Sequence, residues 1–320
     1  MTRPLLIALL CYLTDPAAYC QKTEKYFDYQ WRETAAAHAR FYSIIEKTDS
    51  GWRRRDYYLH SLTLRMEGLY TDSACKIPSG HFRYIHPTRI AEETGAYRGG
   101  RKQGLWLRYY SDGLLSDSTV YDNGNPVGVR TSWYRNGYIR DSASYNPDGS
   151  GIHIAWFDNG NPSFAGRYSG GYKKYGKWTY FYKTGGISAT EVYDIQGRLQ
   201  EKRFFNEKGA LLADTSGADR TPSFPGGESA WSLYLSRSLY FPDQNKITNG
   251  DEATVVIEAT IGEDGMVAEA EVRIPFYPAF DRIALETVRH SPGWLPGTDH
   301  HRPVQATIRL PVTFRRLAEQ

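Results

Sequence analysis

A repeat of glycine and tyrosine runs through the middle of this chain and constrains its fold more than any other feature. Successive units open on glycines 24, 24, 23 and 25 residues apart, and in each unit a tyrosine follows 17 residues after that glycine. A fixed period in this range is typical of a repeat array, in which each unit packs only against its neighbours. The opening glycines and their tyrosines are Gly80, Gly104, Gly128, Gly151 and Gly176, and Tyr97, Tyr121, Tyr145, Tyr168 and Tyr193.

Each unit is predicted to form a β-hairpin. Dipeptides such as Asn136-Gly137 and Asn159-Gly160 tolerate the positive φ angles of a tight turn. Between the turns lie short aromatic segments, and in residues 178–182 the side chains of Trp178, Tyr180 and Tyr182 alternate onto one face. A lone hairpin is only marginally stable in water. We therefore expect the hairpins to join into one long antiparallel meander that buries aromatic faces between units.

The array resembles the MORN-like repeats of bacterial envelope proteins, whose units read Gly-x-Trp-x-x-Tyr-Tyr-x-x-Gly. We assign it to residues 80–212, preceded by an N-terminal region, 21–79, with a degenerate copy around Gly51-Trp52. Arg130 and His153 stand where two units would carry the early tryptophan. The aromatic side chains are expected to form the core of the sheet. The alternative is a glycan or cell-wall binding module, in which Trp106 and Trp178 would stack on the sugar rings of peptidoglycan.

The first twenty residues are typical of an export signal. A positive start at Arg3 precedes the apolar run from Leu5 to Leu13, and Pro16-Ala17-Ala18 leads to Cys20-Gln21. The run is too short to span a bilayer. Cleavage before Gln21 is the favoured interpretation, and a lipid anchor on Cys20 is the alternative. The mature chain is then expected in the periplasm or elsewhere in the cell envelope.

Composition argues against nucleic-acid binding and against catalysis. The net charge is only +3, and the basic residues are scattered among acidic ones. The three cysteines lack metal-ligand spacing, and no motif for a nucleophile elbow, a zinc protease or a phosphate loop is present. Asp299-His300-His301 comes nearest to a metal-ligand cluster, but the sequence favours a solvated loop there. We expect no enzyme activity, no cofactor and no metal.

The last part of the chain follows a different pattern. Residues 213–223 are small and polar and indicate a linker, so the two parts are expected to move independently. A helix from Glu228 to Leu239, strands 253–261 and 266–274, a second helix opening at Pro278 and a final strand 303–314 follow in order. In the second helix, the predicted buried face consists of Phe280, Ile283, Ala284, Thr287 and Val288. This order indicates a small α+β domain over residues 224–316, with a three-stranded antiparallel sheet.

This domain resembles the C-terminal domain of the TonB energy transducer, in the form common in Bacteroidetes-type envelopes. The matching features are Phe-Pro-Gly-Gly-Glu at 224–228, Phe241-Pro242, the Asp264-Gly265 turn, Phe280-Asp281, Trp294 with Pro296-Gly297, and Leu-Pro-Val-Thr-Phe at 310–314. The predicted fold is therefore mainly β plus α+β: an antiparallel hairpin meander followed by a two-helix, three-stranded TonB-like domain.

The resemblance implies a mechanical function in support of transmembrane transport. Domains of this family capture an extended peptide of a TonB-dependent outer-membrane transporter, which adds as a strand to the edge of the sheet. An inner-membrane energising complex would be a further partner. By resemblance, the final strand and the preceding aromatic-Pro segment form the binding site. The predicted partner-binding residues are Tyr240, Phe241, Pro242, Gln305, Thr307, Arg309, Pro311 and Thr313.

Overall fold

The computed structural model describes residues 22–213, 219–242 and 252–315. The predicted export signal, residues 1–20 with Cys20, therefore lies outside the described residues. The middle of the predicted linker and Arg316, the last residue of the predicted domain, also lie outside them.

Residues 22–204 form one antiparallel sheet in which every strand pairs with its neighbours in sequence. This confirms the predicted hairpin meander and extends it to the beginning of the described chain. A short 3-10 turn at Ala36–His38 interrupts the first connection. The strands are β1 (Lys22–Phe27), β2 (Phe41–Thr48), β3 (Gly51–Tyr58), β4 (Thr63–Tyr70), β5 (Pro78–Ile85), β6 (Ala91–Arg98), β7 (Arg101–Tyr109), β8 (Leu115–Asp122), β9 (Asn125–Trp133), β10 (Ile139–Tyr145), β11 (Gly151–Trp156), β12 (Pro162–Ser169), β13 (Lys173–Phe181), β14 (Ile187–Tyr193) and β15 (Leu199–Phe204).

The repeat tryptophans pack directly on glycines of the preceding strand. A Cβ atom added at Gly95 or Gly166 would lie only 2.2 or 2.0 Å from the nearest ring atom of Trp106 or Trp178, respectively. The indole N–H of Trp106 donates to the Ala96 carbonyl at 3.1 Å, and that of Trp178 makes the equivalent bond to the main chain of its own preceding strand. Both tryptophans are 2% exposed. The prediction that they form the core of the sheet is confirmed.

Two units carry a polar residue at the tryptophan position instead. Arg130 lies 3.1 Å from Asp117 and 3.3 Å from Asp141. His153 lies 3.4 Å from the same Asp141. Burial by itself raises the pKa of Asp141, but the hydrogen bonds of His153 and Ser132 and the charge of Arg130 hold it well below its usual range. The repeat thus keeps its register, with Arg130 paired to carboxylates and the ring of His153 packed edge-on against Phe164.

The C-terminal part forms the predicted α+β domain. It contains α1 (Gly227–Ser238), β16 (Glu252–Ile261), β17 (Val267–Ile274), α2 (Pro278–Arg289), β18 (Gly297–Asp299), β19 (Arg302–Val304) and β20 (Ala306–Arg315). The main sheet has the order β17-β16-β20, and β18 pairs with β19 as a separate hairpin. The buried residues of α2 are the five predicted ones. One expectation was wrong in detail: the final strand is divided at Gln305, because its first residues pair with β18 rather than with β16.

The structure places the two parts of the chain in contact, contrary to the expectation that they move independently. Arg220 and Ser223, at the end of the predicted linker, form β-bridges with Thr298 and Leu295. In an antiparallel meander, alternate turns lie at the same end of the strands. The C-terminal part contacts the turns at one of these two ends. The contacting turn residues include His60, Ser111, Arg135 and Lys183.

Candidate functional site

The final strand β20 is an edge of its sheet. It pairs along its whole length with β16, from Ala306 opposite Ile261 to Arg315 opposite Glu252, and has no strand on its other side among the described residues. Edge strands present unpaired main-chain N–H and C=O groups, which can pair with another extended chain. The sequence prediction placed the binding site on this strand.

Pro311 shows which residues face the open side. A proline has no N–H and occurs in a strand only where that position donates no ladder hydrogen bond. Because main-chain groups alternate in direction along a strand, the residues two positions away share the orientation of Pro311. Arg309 and Thr313 therefore turn their N–H and C=O groups toward the open edge, with the gap in donors at Pro311 between them.

The side chains of the predicted strand residues are already engaged within the sheet. Thr307 and Thr313 hydrogen bond to Thr260 and Thr254 at 3.1 and 2.9 Å. Arg309 donates from Nε to Glu258 at 2.8 Å. All three residues lie on β20, and it is their main chain, rather than their side chains, that is available to a partner.

A groove of about 1420 Å³ lies between α1 and this edge. Five of the eight predicted residues line it: Tyr240, Phe241, Arg309, Pro311 and Thr313. Tyr240 is 64% exposed, whereas Phe241 packs edge-on against Phe280 at 5.2 Å. Pro242 follows directly and is half-buried. Gln305 and Thr307 line a separate cavity of about 350 Å³ that faces the array.

The groove also contains aromatic residues that sequence reasoning did not assign to the site. Phe224, Trp231 and Trp294 form a triangle of rings with centroids 5.2 to 5.3 Å apart. Together with Leu235 of α1 and Leu239, which directly follows that helix, they provide an apolar wall opposite the strand edge. Helical spacing of Trp231 and Leu235 was visible in the sequence, but only their placement opposite β20 identifies them as groove residues.

Residues 238–316 match the family model of the Gram-negative bacterial TonB protein C-terminal. The match supports the TonB resemblance of this domain and covers Phe241, the three-stranded sheet and α2. It begins at the last residue of α1, so the Phe-Pro-Gly-Gly-Glu segment precedes it. TonB C-terminal domains are protein-interaction domains rather than enzymes, and proteins of the TonB family are associated with the cell envelope.

The match is confined to this TonB-like domain. The array is a hairpin meander, and its MORN-like identity remains a prediction. No curated protein matches the sequence. Neither helix in the described ranges has the length and apolar character of a membrane-spanning segment.

The TonB-like domain docks on the array through the tip of its β18–β19 hairpin. His300 is buried and stacks on Tyr180 at 3.5 Å, with its ring planes 14° apart. Its Nε2 lies 3.1 Å from Glu191 of β14, and its neighbour His301 packs edge-on against Phe204 at 4.6 Å. The expectation of a solvated loop at Asp299-His300-His301 was therefore wrong, because the array buries the tip. Asp219, Asp299 and His300 lie close together, but hydrogen bonds among them already use these groups.

Arg302 fills a gap in a hydrogen-bond ladder of the array. At three turns a tyrosine hydroxyl donates to the next unit's main chain: Tyr110 to Trp133, Tyr134 to Trp156 and Tyr182 to Phe205. The equivalent residue of the first unit is His86, whose Nε2 lies 3.2 Å from the Tyr109 carbonyl, and that of the fourth unit is Phe157, which has no hydroxyl. Arg302 lies over the ring of Phe157 at 5.3 Å and donates to the carbonyls of Phe181, at 2.5 Å, and of Ser163. In this unit, Arg302 of the TonB-like domain thus supplies the donor that the side chain at the turn lacks.

Ion pairs between the TonB-like domain and the array continue the contact along the same side of the array. Arg135 lies 2.8 Å from Glu269, and Lys183 lies 2.7 Å from Glu263. Arg273 of β17 pairs with Glu92.

Two groups near α2 have shifted pKa values. Burial raises the pKa of Asp281 to about 6 despite its hydrogen bond from the Phe276 N–H. Burial, together with the charge of Arg40, lowers the pKa of His60 to about 4.

Proposed function

We propose that this chain is a cell-envelope protein-interaction module whose TonB-like domain captures an extended peptide of a TonB-dependent outer-membrane transporter. The observation that carries the proposal is the open edge of β20 beside an apolar groove, in a domain that matches the TonB C-terminal family. Capture would support transport across the outer membrane. An inner-membrane energising complex is proposed as a second partner on the same resemblance.

The peptide would add as a fourth strand to the sheet. Its main chain would pair with the outward groups of Arg309 and Thr313, and alternate side chains would enter the groove against Trp231 and Leu235. Each main-chain hydrogen bond contributes about 0.5–1.5 kcal/mol net. Because Pro311 offers no donor, the bonds are interrupted in the middle of the edge. Binding is therefore expected to be weak and reversible, which suits a partner that has to be released.

Alternate N-methylation of the peptide tests this mode of binding. The full chain, labelled with ¹⁵N, is titrated with a short peptide copied from the N-terminal segment of such a transporter. We expect amide shift changes along Arg309–Arg315. Two N-methylated peptides, modified at alternating positions, are then compared, because only every second peptide N–H faces the strand. Methylation at one of the two alternating sets of positions is expected to abolish binding, and methylation at the other set is expected to leave binding intact.

A matched pair of protein variants distinguishes binding at the strand edge from binding elsewhere on the domain. Thr313→Pro removes an outward N–H and should weaken binding, whereas Leu233→Ala, on an exposed part of α1 outside the groove, should not. Unchanged spectra at millimolar peptide, or equal loss of binding with both methylated sets, would contradict strand addition.

The glycan alternative receives no support from the array. Trp106 and Trp178, the residues proposed to stack on sugar rings, are buried over Gly95 and Gly166. A sugar ring has no access to either indole in this arrangement. We propose instead that the array is a scaffold that holds and positions the TonB-like domain in the periplasm.

A further inference from the structure

His300 makes a contact pattern that a neutral histidine cannot complete. Its Nδ1 lies 2.7 Å from Asp299 and its Nε2 lies 3.1 Å from Glu191, so both ring nitrogens face carboxylate oxygens. A neutral imidazole carries one N–H and can donate only one of these bonds, whereas the imidazolium donates both. The docked arrangement therefore requires a proton that the free hairpin does not need.

The surrounding groups keep the two carboxylates ionised. Glu191 also accepts from Tyr180 and Tyr193 and lies 3.1 Å from Lys174 and 3.3 Å from Lys202. Burial opposes ionisation, but the bonds of His300, Tyr193 and Lys174 hold the pKa of Glu191 below its usual range. Burial likewise opposes ionisation of Asp299, and His300 and Arg302 lower its pKa. The proton is accordingly placed on the imidazole.

The charged groups nearest the partners of the ring are Lys174 and Lys202, and Lys202 lies 3.3 Å from the same Glu191 oxygen that His300 contacts. Tyr180 offers its ring face, and burial raises the pKa of its hydroxyl above the usual range. Phe204 is apolar, and Asp219 accepts from the main-chain N–H of His300 rather than from its ring. Arg302 contacts the other carboxylate oxygen of Asp299, at 3.2 Å.

The backbone of the tip is held in an uncommon conformation. His300 and His301 have φ angles of 53° and 60°, in a two-residue hairpin turn that usually contains Asn-Gly. Bulky residues adopt this region only when the surrounding structure holds them there. The stacking on Tyr180 and the bonds to Glu191 and Asp299 are the contacts that hold this turn.

We propose that the β18–β19 tip is a proton-controlled latch that fastens the TonB-like domain to the array, with the protonated His300 ring bridging Glu191 and Asp299. The latch concerns the docked face and not the peptide edge, so it does not depend on peptide capture. Its release would free the tip and the adjoining residues Gln305 and Thr307, which line the cavity between the two parts.

The direction of the pH effect follows from the bonds to the ring. Burial alone lowers the pKa of His300, but the hydrogen bonds and charges of Asp299 and Glu191 raise it above its ordinary value of 6.5. The stabilisation of docking is complete below the pKa of the free imidazole and is lost as pH rises through the raised pKa of the docked one. With one proton involved, the docking equilibrium constant falls by up to about tenfold per pH unit in that window.

The test measures the ring and the docking on the same full-length chain. Histidine-selective ¹³C NMR follows the protonation of His300, and small-angle X-ray scattering follows the radius of gyration between pH 5 and 9. We expect His300 to titrate above the ordinary histidine range, and the radius to increase over the same interval. His300→Gln should remove the pH step, whereas His301→Gln, which alters the neighbouring ring on Phe204, should retain it.

A second variant keeps the test decisive if His300→Gln fails to fold. In Glu191→Gln the second carboxylate is absent, a neutral imidazole can satisfy the remaining one, and the pH step should shrink and move to lower pH. Circular dichroism checks that each variant retains the sheet. A His300 ring that is neutral at pH 5, a step that survives in His300→Gln, or a constant radius while His300 titrates would overturn the latch.

Discussion

The array and the TonB-like domain bury their residues in different ways. In the domain, the fully buried residues are aliphatic and aromatic, among them Val255, Ile257, Phe280 and Val312, and they lie between a sheet and α2. In the array, rings seated on glycines alternate with buried polar residues such as Asp56, Asp141 and Glu191. A sheet and a helix can exclude polar groups from a shared interior, whereas a repeated sheet has to satisfy each one through the next unit.

This difference explains why the array offers a docking face. At three turns, the main-chain carbonyl of one unit accepts from a tyrosine hydroxyl of the unit before it. Phe157 leaves the Phe181 carbonyl without the expected tyrosine hydroxyl, and Arg302 supplies that bond from the other part of the molecule. The TonB-like domain in turn presents charged strand residues, such as Glu269 and Arg273, together with the ring of Phe276, which contacts His60. The following substitutions test the comparison from its largest expected effect to its smallest.

The largest effect is expected in the apolar core of the domain. Phe280 is fully buried and contacts the rings of Phe241, Phe276 and Phe314. Phe280→Ala should lower the free energy of unfolding by about 3–5 kcal/mol, through lost transfer energy and a residual cavity. Urea unfolding followed by circular dichroism measures the change. Tyr240→Ala, at an exposed position, should remain close to wild type, and similar losses in both variants would contradict this account of the core.

Removing the bridge between the two parts should have the next largest effect. Arg302→Lys keeps the charge but loses the fork that reaches both Phe181 and Ser163, and charge-assisted hydrogen bonds of this kind contribute about 1.5–3 kcal/mol. Differential scanning calorimetry should show two transitions in place of one shared transition. Arg309→Lys, on an exposed edge residue, is the matched control. If Arg302→Lys leaves a single transition at the wild-type temperature, Arg302 does not hold the interface.

The packing of tryptophan rings on glycines in the array can be tested by adding one methyl group. Gly166→Ala places a Cβ 2.0 Å from the nearest ring atom of Trp178, and overpacking of this kind destabilises by about 1–3 kcal/mol. The intrinsic tryptophan fluorescence should also change, since the indole has to move. Gly186→Ala is the control, because a Cβ there meets only ordinary contacts and the φ angle is not in the left-handed region. Equal stability of the two variants would show that the ring is not seated on Gly166.

The smallest effect concerns the pH dependence of the domain. Burial raises the pKa of Asp281 to about 6, above its ordinary value of 3.8. Its contribution to stability is therefore complete below about pH 4 and is lost as pH rises through about 6, an effect on the order of 1 kcal/mol after allowance for partial exposure. Asp281→Asn should flatten the stability profile between about pH 4 and 6, as measured by urea unfolding. Glu286→Gln, an exposed position on the same helix, should leave the slope unchanged.

Much of the fold could be predicted because its determinants are local. The 24-residue period and the turn dipeptides predicted the meander, and the helical spacing of Phe280, Ile283 and Val288 predicted the buried face of α2. The edge strand proposed to bind the peptide was also located from the sequence, because the Leu-Pro-Val-Thr-Phe segment resembles that of the TonB family. The roles of its residues were harder to predict from the sequence. The side chains of Thr307, Arg309 and Thr313 have their partners on β16, more than 45 residues away in sequence.

The sequence by itself determined the two kinds of structure in this chain, because periodicity and turn chemistry act over a few residues. Only the tertiary structure decided how they meet. The partners of His300 and Arg302, Glu191 and Phe181, are separated from them by more than 100 residues, and no local pattern relates them. Asp299-His300-His301 therefore resembled a solvated loop in sequence. His300 is buried because a complementary pocket of rings and carboxylates exists on another part of the molecule.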